Sequence, residues 1–536
     1  MKKSLVYIVL IVISLFTIYK ASLIYETFLD NNIPVYDSVN YEKNQIEQFI
    51  RFKDNFSLWK RKTEIKYQLQ FNSKDGGYFA MLMLLNPKLL FSDLDILIRS
   101  FISMLIFSIT LFHFLEYKTN STIKRLLIII LLLQFPLFYN ERYGLATYIP
   151  ELPSALLLLS GYLCVLLFFR KNKIFHLLLG LTLMLIPVIL RLNFFIYSGL
   201  LILPLIYGII LRVVKLPTVK QILVYLYVVF LLIIVGSYFL YYLQYFREYY
   251  VKPSVEWEDY GDLYFTLKKF SENYINQIGV YGLLFIIFIN LIRDKINENL
   301  NFNKLLFFVP FCFPFLLVFV INKSPNVPHV VSAMSIFSLL IILNIVFKKI
   351  KLDFINNKII YFAFGIFFFS SLFIFFNNLQ KVKLTYPEHE TANKTVSFIV
   401  DSKLINNDFK YISFADDVAE IPIDVALLKK TGVYLKSNDH FYYHNWGWYH
   451  NISKDLNVDT CVNHYTERID ENYYDLIIMN DTINTLLSHF PISVKVHNRV
   501  EDYITKSKQY KLVFSKRTQA NGVLNFYLKN KEDIMK

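Results

Sequence analysis

Runs of apolar residues long enough to cross a lipid bilayer dominate the first 376 residues of this chain. A window of about 19 residues locates about eleven such runs, and a helix of about 20 apolar residues spans the roughly 30 Å hydrocarbon core. The runs centre near Ile13, Met104, Leu132, Leu159, Met184, Ile202, Phe230, Phe285, Leu316, Leu339 and Phe367. Because 55% of the residues are hydrophobic and the mean hydropathy is +0.39, a water-soluble fold is excluded. The sequence predicts an α-helical polytopic membrane protein with about eleven transmembrane helices.

Basic residues set the predicted orientation of these helices. Lys2 and Lys3 precede the first run, and further basic groups occupy every second connection, such as residues 170–173 and 212–220. Because Lys and Arg beside a span resist translocation, the pattern predicts a cytoplasmic N-terminus in the plasma (inner) membrane. The first run continues to about Tyr25 without a clear small-residue cleavage site, which favours an uncleaved anchor over a signal peptide.

The formal net charge of +14 is concentrated in those same connections. It is therefore a signal of topology rather than the footprint of a surface that binds nucleic acid. The sequence predicts no nucleic-acid partner.

Two domains are predicted. Residues 1–376 form the membrane bundle, with a long first outer loop at residues 26–92. From residue 377 the composition is that of a soluble protein, and strand-like runs alternate with helical patterns, which predicts a small extracytoplasmic α/β domain over residues 377–536. The strand-like runs are residues 411–414, 432–435, 476–479, 511–514 and 523–528, and the clearest helical patterns are residues 388–404 and 418–430.

Residues 440–450 of this outer domain combine three histidines with a run of aromatic residues. Packing at the membrane interface is the leading interpretation, because Trp and Tyr favour that position. Contact with a sugar or lipid through the flat aromatic faces is a second interpretation, and a metal site is a third.

Two acids of the first outer loop are candidates for chemistry. Asp37 follows a short run of apolar and aromatic residues, and a carboxylate there could act as a general base on an acceptor hydroxyl. Helix capping is the competing interpretation, since Asp37 or Ser38 precedes the amphipathic run at residues 41–52. Glu42 lies close by and is a candidate for substrate binding.

Four further residues lie at predicted outer edges of the bundle, where a charged or polar group is energetically costly and is therefore a candidate for function. Glu151 opens the fourth run, where an acid also complements a helix N-terminus. Arg191 lies in a tight outer turn and could snorkel to the interface. Lys323 and His329 share a short outer turn that suits a phosphate but is also ordinary for a loop.

The layout of about residues 1–350 resembles the GT-C class of glycosyltransferases, multi-span enzymes that take sugars from polyprenyl-phosphate carriers. The resemblance consists of Tyr36-Asp37-Ser38 early in the first loop, Glu151-Leu-Pro-Ser-Ala opening the fourth span, the inner turn Arg170-Lys-Asn-Lys, the outer turn Ile-Leu-Arg191-Leu-Asn and the late outer turn Asn-Lys323-Ser-Pro. Many members carry two adjacent acids in the first loop, whereas here Ser38 follows Asp37 and the next acid is Glu42.

The resemblance implies an enzyme that moves a sugar from a polyprenyl-phosphate-linked donor to a lipid, glycan or protein acceptor outside the cytoplasm, with inversion. It implies that Asp37 is the catalytic base and that Glu151 supports the site. Arg191, Lys323 and His329 would hold the carrier phosphate. The departing phosphate already carries negative charge, so the reaction requires no cofactor, and a divalent metal is optional.

Two other functions compete with this one. A lipid-linked glycan polymerase or ligase usually has its large loop late in the chain between two spans, whereas here the large outer loop comes first. A transporter or flippase of lipid-linked glycans tends to show paired halves and polar groups at mid-membrane. The sequence pattern shows neither, because its candidate charges cluster at the outer rim.

Overall fold

The structure is a computed structural model. It describes residues 3–33, 93–116, 120–141, 144–147, 151–190, 194–246, 357–384, 387–406, 408–415, 420–433, 435, 458–481, 491–518 and 522–530. Contacts within the chain divide it into two compact units. The first contains the apolar helices as far as residue 380, and the second contains residues 27–33 and the described residues from 381 onward.

The first unit is built from helices. They are α1 (Lys3–Asn31, of which residues 27–31 belong to the second unit), α2 (Asp93–Leu115), α3 (Thr122–Leu132), α4 (Glu151–Lys171), α5 (Ile174–Leu190), α6 (Phe194–Val213), α7 (Thr218–Phe246) and α8 (Asn357–Lys381), with a short 3₁₀ helix at Pro136–Tyr139. Every predicted centre that falls on described residues lies in one of these helices. The centres Phe285, Leu316 and Leu339 lie outside the described residues.

Four helices of the described chain are long and apolar enough to cross a membrane: Ser4–Asp30, Ile96–Leu115, Glu151–Lys171 and Thr218–Ser237. The prediction of a mostly helical protein with several membrane-length helices is therefore confirmed. The total of eleven spans stays a prediction.

The predicted span centred on Leu132 is wrong in its length. Helix α3 has 11 residues, so it is about 16 Å long and too short to cross the hydrocarbon core. The helix stops because Pro136 follows Phe135, which takes an extended conformation at φ −60° and ψ 135°. The described irregular residues after it are largely buried, among them Leu133, Gln134 and Phe135.

Helices α4 and α5 pack through two glycines. A Cβ atom built on Gly161 would lie 2.6 Å from the Gly180 carbonyl oxygen, and one built on Gly180 would lie 2.9 Å from the Gly161 carbonyl oxygen. Only residues without a side chain allow the two backbones to approach this closely. The glycine pair therefore fixes the separation of the two helices.

The second unit contains a four-stranded sheet with helices on both faces. Its elements are α9 (Pro387–Asp401), β1 (Tyr411–Ser413), α10 (Glu420–Thr431), α11 (Val458–Asp470), β2 (Leu476–Asn480), α12 (Pro491–Lys506), β3 (Tyr510–Arg517) and β4 (Val523–Lys529). The strand order is β1-β2-β4-β3, in which β1 and β2 are parallel and the other two pairs are antiparallel. The predicted alternation of strands and helices thus gives an α/β arrangement.

Alternate residues of β2 enter two separate cores. Ile477 and Met479 pack with residues of α11 and α12, whereas Leu476 and Ile478 pack with residues of α9 and α10. This alternation follows from the two-residue period of a strand. The predicted strand at residues 432–435 is wrong, because Gly432 follows the end of α10 with φ +74°, a helix-terminating conformation that glycine adopts without strain.

Candidate functional site

Of the six predicted site residues, the structure describes Glu151. Asp37, Glu42, Arg191, Lys323 and His329 lie outside the described residues, so their roles stay predictions. The residues 440–450 also lie outside them.

Glu151 lies in the first turn of α4 and is 3% exposed. Two features of the sequence favour a helix start here: Pro153 is compatible with a first turn, and a carboxylate complements the positive end of the helix dipole. Tyr197 of α6 lies close enough to the Glu151 carboxyl group for the two to interact electrostatically. A buried acid at the end of a membrane-length helix is a candidate functional group.

The chain just before α4 is tied to the start of α2. The Arg99 guanidinium donates to the Thr147 carbonyl oxygen at 3.2 Å, and the Ser100 hydroxyl donates to the Leu145 carbonyl oxygen at 2.6 Å. These bonds place the N-terminal parts of α2 and α4 at the same end of the unit. Glu151 and Arg99 are therefore brought to one end by elements that are far apart in sequence.

The opposite end of α4 carries an ion-pair cluster around Glu116, here called the Glu116 cluster. The Glu116 carboxylate lies 3.1 Å from Lys171 Nζ, 3.1 Å from His113 Nδ1 and 3.4 Å from an Arg125 nitrogen. Partial burial acts to raise the pKa of Glu116, but hydrogen bonds and charge from Lys171 and His113 outweigh it, so the pKa lies below its ordinary value. The C-terminal ends of α2 and α4 and the N-terminal end of α3 thus meet at one place, and each of them contributes a basic side chain.

The two ends are separated by the length of α4. Glu151 and Lys171 are the first and last residues of this helix, so they lie about 30 Å apart along its axis. That distance matches the thickness of the hydrocarbon core. One end therefore carries the buried carboxyl of Glu151, and the other carries the predominantly basic Glu116 cluster.

A buried cation inside the first apolar helix is the feature that sequence reasoning missed. Lys20 is 2% exposed and lies within the membrane-length helix Ser4–Asp30. Its Nζ donates to Gln134 Oε1 at 2.8 Å and lies 4.4 Å and 4.8 Å from the ring centroids of Tyr139 and Phe375. Ser371 also donates to Gln134 Oε1, at 3.3 Å. We call these five residues the Lys20 cluster.

Three distant parts of the chain build the Lys20 cluster. Lys20 belongs to α1, Ser371 and Phe375 belong to α8, and Gln134 and Tyr139 flank the break that follows α3. Non-helical backbone inside a membrane protein is tolerated where it is buried in protein or lines a cavity. The break before Pro136 brings the Gln134 side chain to Lys20 and the Tyr139 ring to the ammonium.

The depth of Lys20 follows from the helix geometry. The Tyr7 hydroxyl lies 3.1 Å from His113 Nε2, so the start of α1 lies at the same end as the Glu116 cluster. Lys20 is about 20 Å further along the axis of α1. Lys20 therefore lies well inside the length of α1 and away from the end of the helix that carries Tyr7. A single Lys within a long apolar run is the sequence signal that could have found it.

Among the described residues, no group of three or more His, Cys, Asp or Glu side chains is arranged to hold a metal ion.

A comparison of the sequence with models of known protein families found no match, and a comparison with curated protein sequences found none either.

Proposed function

We propose that the protein is a membrane glycosyltransferase that moves a sugar from a polyprenyl-phosphate-linked donor to an acceptor on the extracytoplasmic side. The observation that carries the proposal is the buried carboxyl of Glu151 in the first turn of a membrane-length helix. Its position agrees with the second acid of the GT-C layout. The opposite, basic end of the same helix supports the assignment of the Glu151 end to the outside of the cytoplasm.

The proposed reaction transfers a glycosyl group between two oxygen atoms. Asp37 accepts the proton of the acceptor hydroxyl, the acceptor oxygen bonds to the anomeric carbon, and the bond from that carbon to the phosphate oxygen breaks. The products are the glycosylated acceptor and the polyprenyl phosphate. Arg191, Lys323 and His329 stabilise the departing phosphate, Glu42 contributes to substrate binding, and Glu151 supports the site.

The test is a turnover assay with purified protein and polyprenyl-phosphate sugars. Asp37→Asn retains most of the capacity for helix capping but removes the proton acceptor, so turnover is expected to fall by about 10² to 10⁴ while donor binding survives. Glu151→Gln, which keeps the size of the side chain, should also lower turnover. Near-normal turnover by a well-folded Asp37→Asn variant would exclude the proposed base.

A flippase of lipid-linked glycans is the second candidate, and the buried Lys20 favours it. Ionisable groups at membrane depth are typical of transport pathways, because a buried charge is expensive without a function. The discriminating measurement is movement of a labelled polyprenyl-phosphate sugar across a vesicle that contains no acceptor. Movement that requires Lys20 but not Asp37 would favour the flippase over the transferase.

A further inference from the structure

The described part of the C-terminal unit includes a segment from the other end of the chain. Residues 27–33, the last turn of α1 and the two residues after it, belong to the same compact unit as α9 to β4. Ile33 is 8% exposed and is part of the hydrophobic core that contains Ala392 and Val396 of α9. This core therefore includes a residue that precedes α9 by more than 350 positions.

Two side chains of α9 hold the backbone of Ile33 from both sides. Asn393 Oδ1 accepts from the Ile33 amide at 2.9 Å, and His389 Nδ1 donates to the Ile33 carbonyl oxygen at 2.7 Å. Residues four apart project from the same face of a helix, so one face of α9 presents both groups. Together they satisfy the donor and the acceptor of a single residue.

Two further contacts extend the same attachment. The ring of Phe28 meets the ring of His389 edge-on, with centroids 5.3 Å apart. The side-chain amide of Asn32 donates to the Leu384 carbonyl oxygen at 3.1 Å. Phe28, Asn32 and Ile33 thus contact residues 384–396 through apolar, ring and hydrogen-bond contacts.

We propose that this face of α9 is a docking surface for the N-terminal segment, and that the C-terminal unit positions the start of the first outer loop through it. The surface consists of His389, Ala392, Asn393 and Val396, and its occupant is residues 28–33 of the same chain. Asp37 follows Ile33 by four positions in the sequence. His389 and Asn393 are therefore positioning residues for the transferase, a consequence that rests on the proposed function.

The docking itself is tested without reference to activity. A protease site inserted after Lys383, an exposed residue, allows the full-length protein to be cut in detergent between α8 and α9. The C-terminal fragment should stay with the N-terminal fragment during size-exclusion chromatography. The double variant His389→Ala, Asn393→Ala should release it, whereas Ser397→Ala, an exposed change on the same helix, should not.

A second pair of variants covers the case in which the double alanine variant does not fold. Ile33→Asp leaves the sequence of the C-terminal fragment unchanged and places a charge in its core, so it should also release the fragment. His389→Gln can still donate to the carbonyl oxygen and should retain it. Loss of the wild-type fragment after cutting, or retention by both the double alanine and the Ile33→Asp variants, would overturn the docking.

The positioning role is measured on the uncut protein. If docking places the base, the double alanine variant should lower kcat by about 10- to 100-fold with a smaller change in KM for the donor, and His389→Gln should recover part of the loss. A wild-type protein without transferase activity would remove the proposed function but leave the docking to be decided by the cutting experiment. Unchanged kcat in a variant that releases the fragment would remove the positioning role alone.

Discussion

Lys20 Nζ donates a 2.8 Å hydrogen bond to Gln134 Oε1, and both residues are 2% exposed. A buried ammonium is stabilised by the groups arranged around it, and among the described residues these include one amide oxygen and the faces of two aromatic rings. The pair joins the middle of α1 to the break after α3. Its two members should therefore respond to substitution in opposite ways.

Lys20→Met should leave the stability of the protein unchanged or raise it, because an apolar side chain of similar length removes a buried charge. Gln134→Leu should destabilise it by about 1.5–3 kcal/mol, because the buried Lys20 amine loses its hydrogen-bond acceptor. The double variant should recover most of that loss. Thermal unfolding in detergent measures all three, with the exposed Lys220→Met as the control. Equal losses in both single variants would contradict this account.

The Lys20 variants also separate a structural role from a functional one. If Lys20 acts on a transported or transferred substrate, Lys20→Met should reduce activity while its melting temperature is maintained. Lys20→Arg, which keeps the charge, should retain more activity than Lys20→Met. Full activity of a stable Lys20→Met protein would restrict the residue to a structural role.

Gly161→Ala should destabilise the first unit by about 1–3 kcal/mol, because the added Cβ would lie 2.5 Å from Met184 Cγ and 2.6 Å from the Gly180 carbonyl oxygen. Gly180→Ala should have a similar effect through the facing backbone. Gly236→Ala is the matched control, since no atom of the described residues lies within 4 Å of its Cβ position. That change should be neutral or stabilising through helix propensity. Similar melting temperatures for all three variants would show that α4 and α5 can separate without cost.

The stability of the second unit should fall as the pH drops below the ordinary pKa of histidine. His497 is 1% exposed, its Nε2 lies 2.8 Å from Asn480 Oδ1, and burial lowers its pKa. A folded-state pKa below the unfolded value means that the unfolded chain takes up the proton more readily. The contribution of His497 is therefore complete above pH 6.5 and is lost as the pH falls toward the folded-state pKa.

Hydrogen exchange of β2 and α12 in the full-length protein measures this effect. Protection should decrease between about pH 7 and pH 5 in the wild type. His497→Gln can still donate to Asn480 but does not titrate, so its protection should change less over that interval. His464→Gln, an exposed change on α11, should keep the wild-type dependence. The same pH dependence in wild type and His497→Gln would assign it to another group.

The two ends of α4 should be accessible from opposite sides of the membrane. In a background without the native cysteines, Lys173→Cys should react with a membrane-impermeant maleimide only after the cells are permeabilised. Glu141→Cys, in the connection before α4, should react in intact cells. The reverse labelling would invert the orientation and exclude an extracytoplasmic site at Glu151.

The elements of this fold were largely predictable because their signals are local. Apolar runs of membrane length became the helices around Ile13, Met104 and Leu159, and the strand-like run at residues 476–479 became β2. The wrong length of the span at Leu132 had a local cause as well, since Pro136 prevents Phe135 from continuing the helix.

The sequence by itself determined that the chain has several membrane-length helices and an α/β segment, because hydrophobic length and strand periodicity are properties of neighbouring residues. Only the tertiary structure decided which distant groups meet. Lys20 meets Gln134 across 114 positions, and Ile33 meets His389 across 356. No local pattern specifies such pairs, because a polar side chain in an apolar run needs a partner but its own sequence does not say where that partner lies. Packing of the helices brings Gln134 into contact with Lys20, and α9 brings His389 and Asn393 into contact with Ile33.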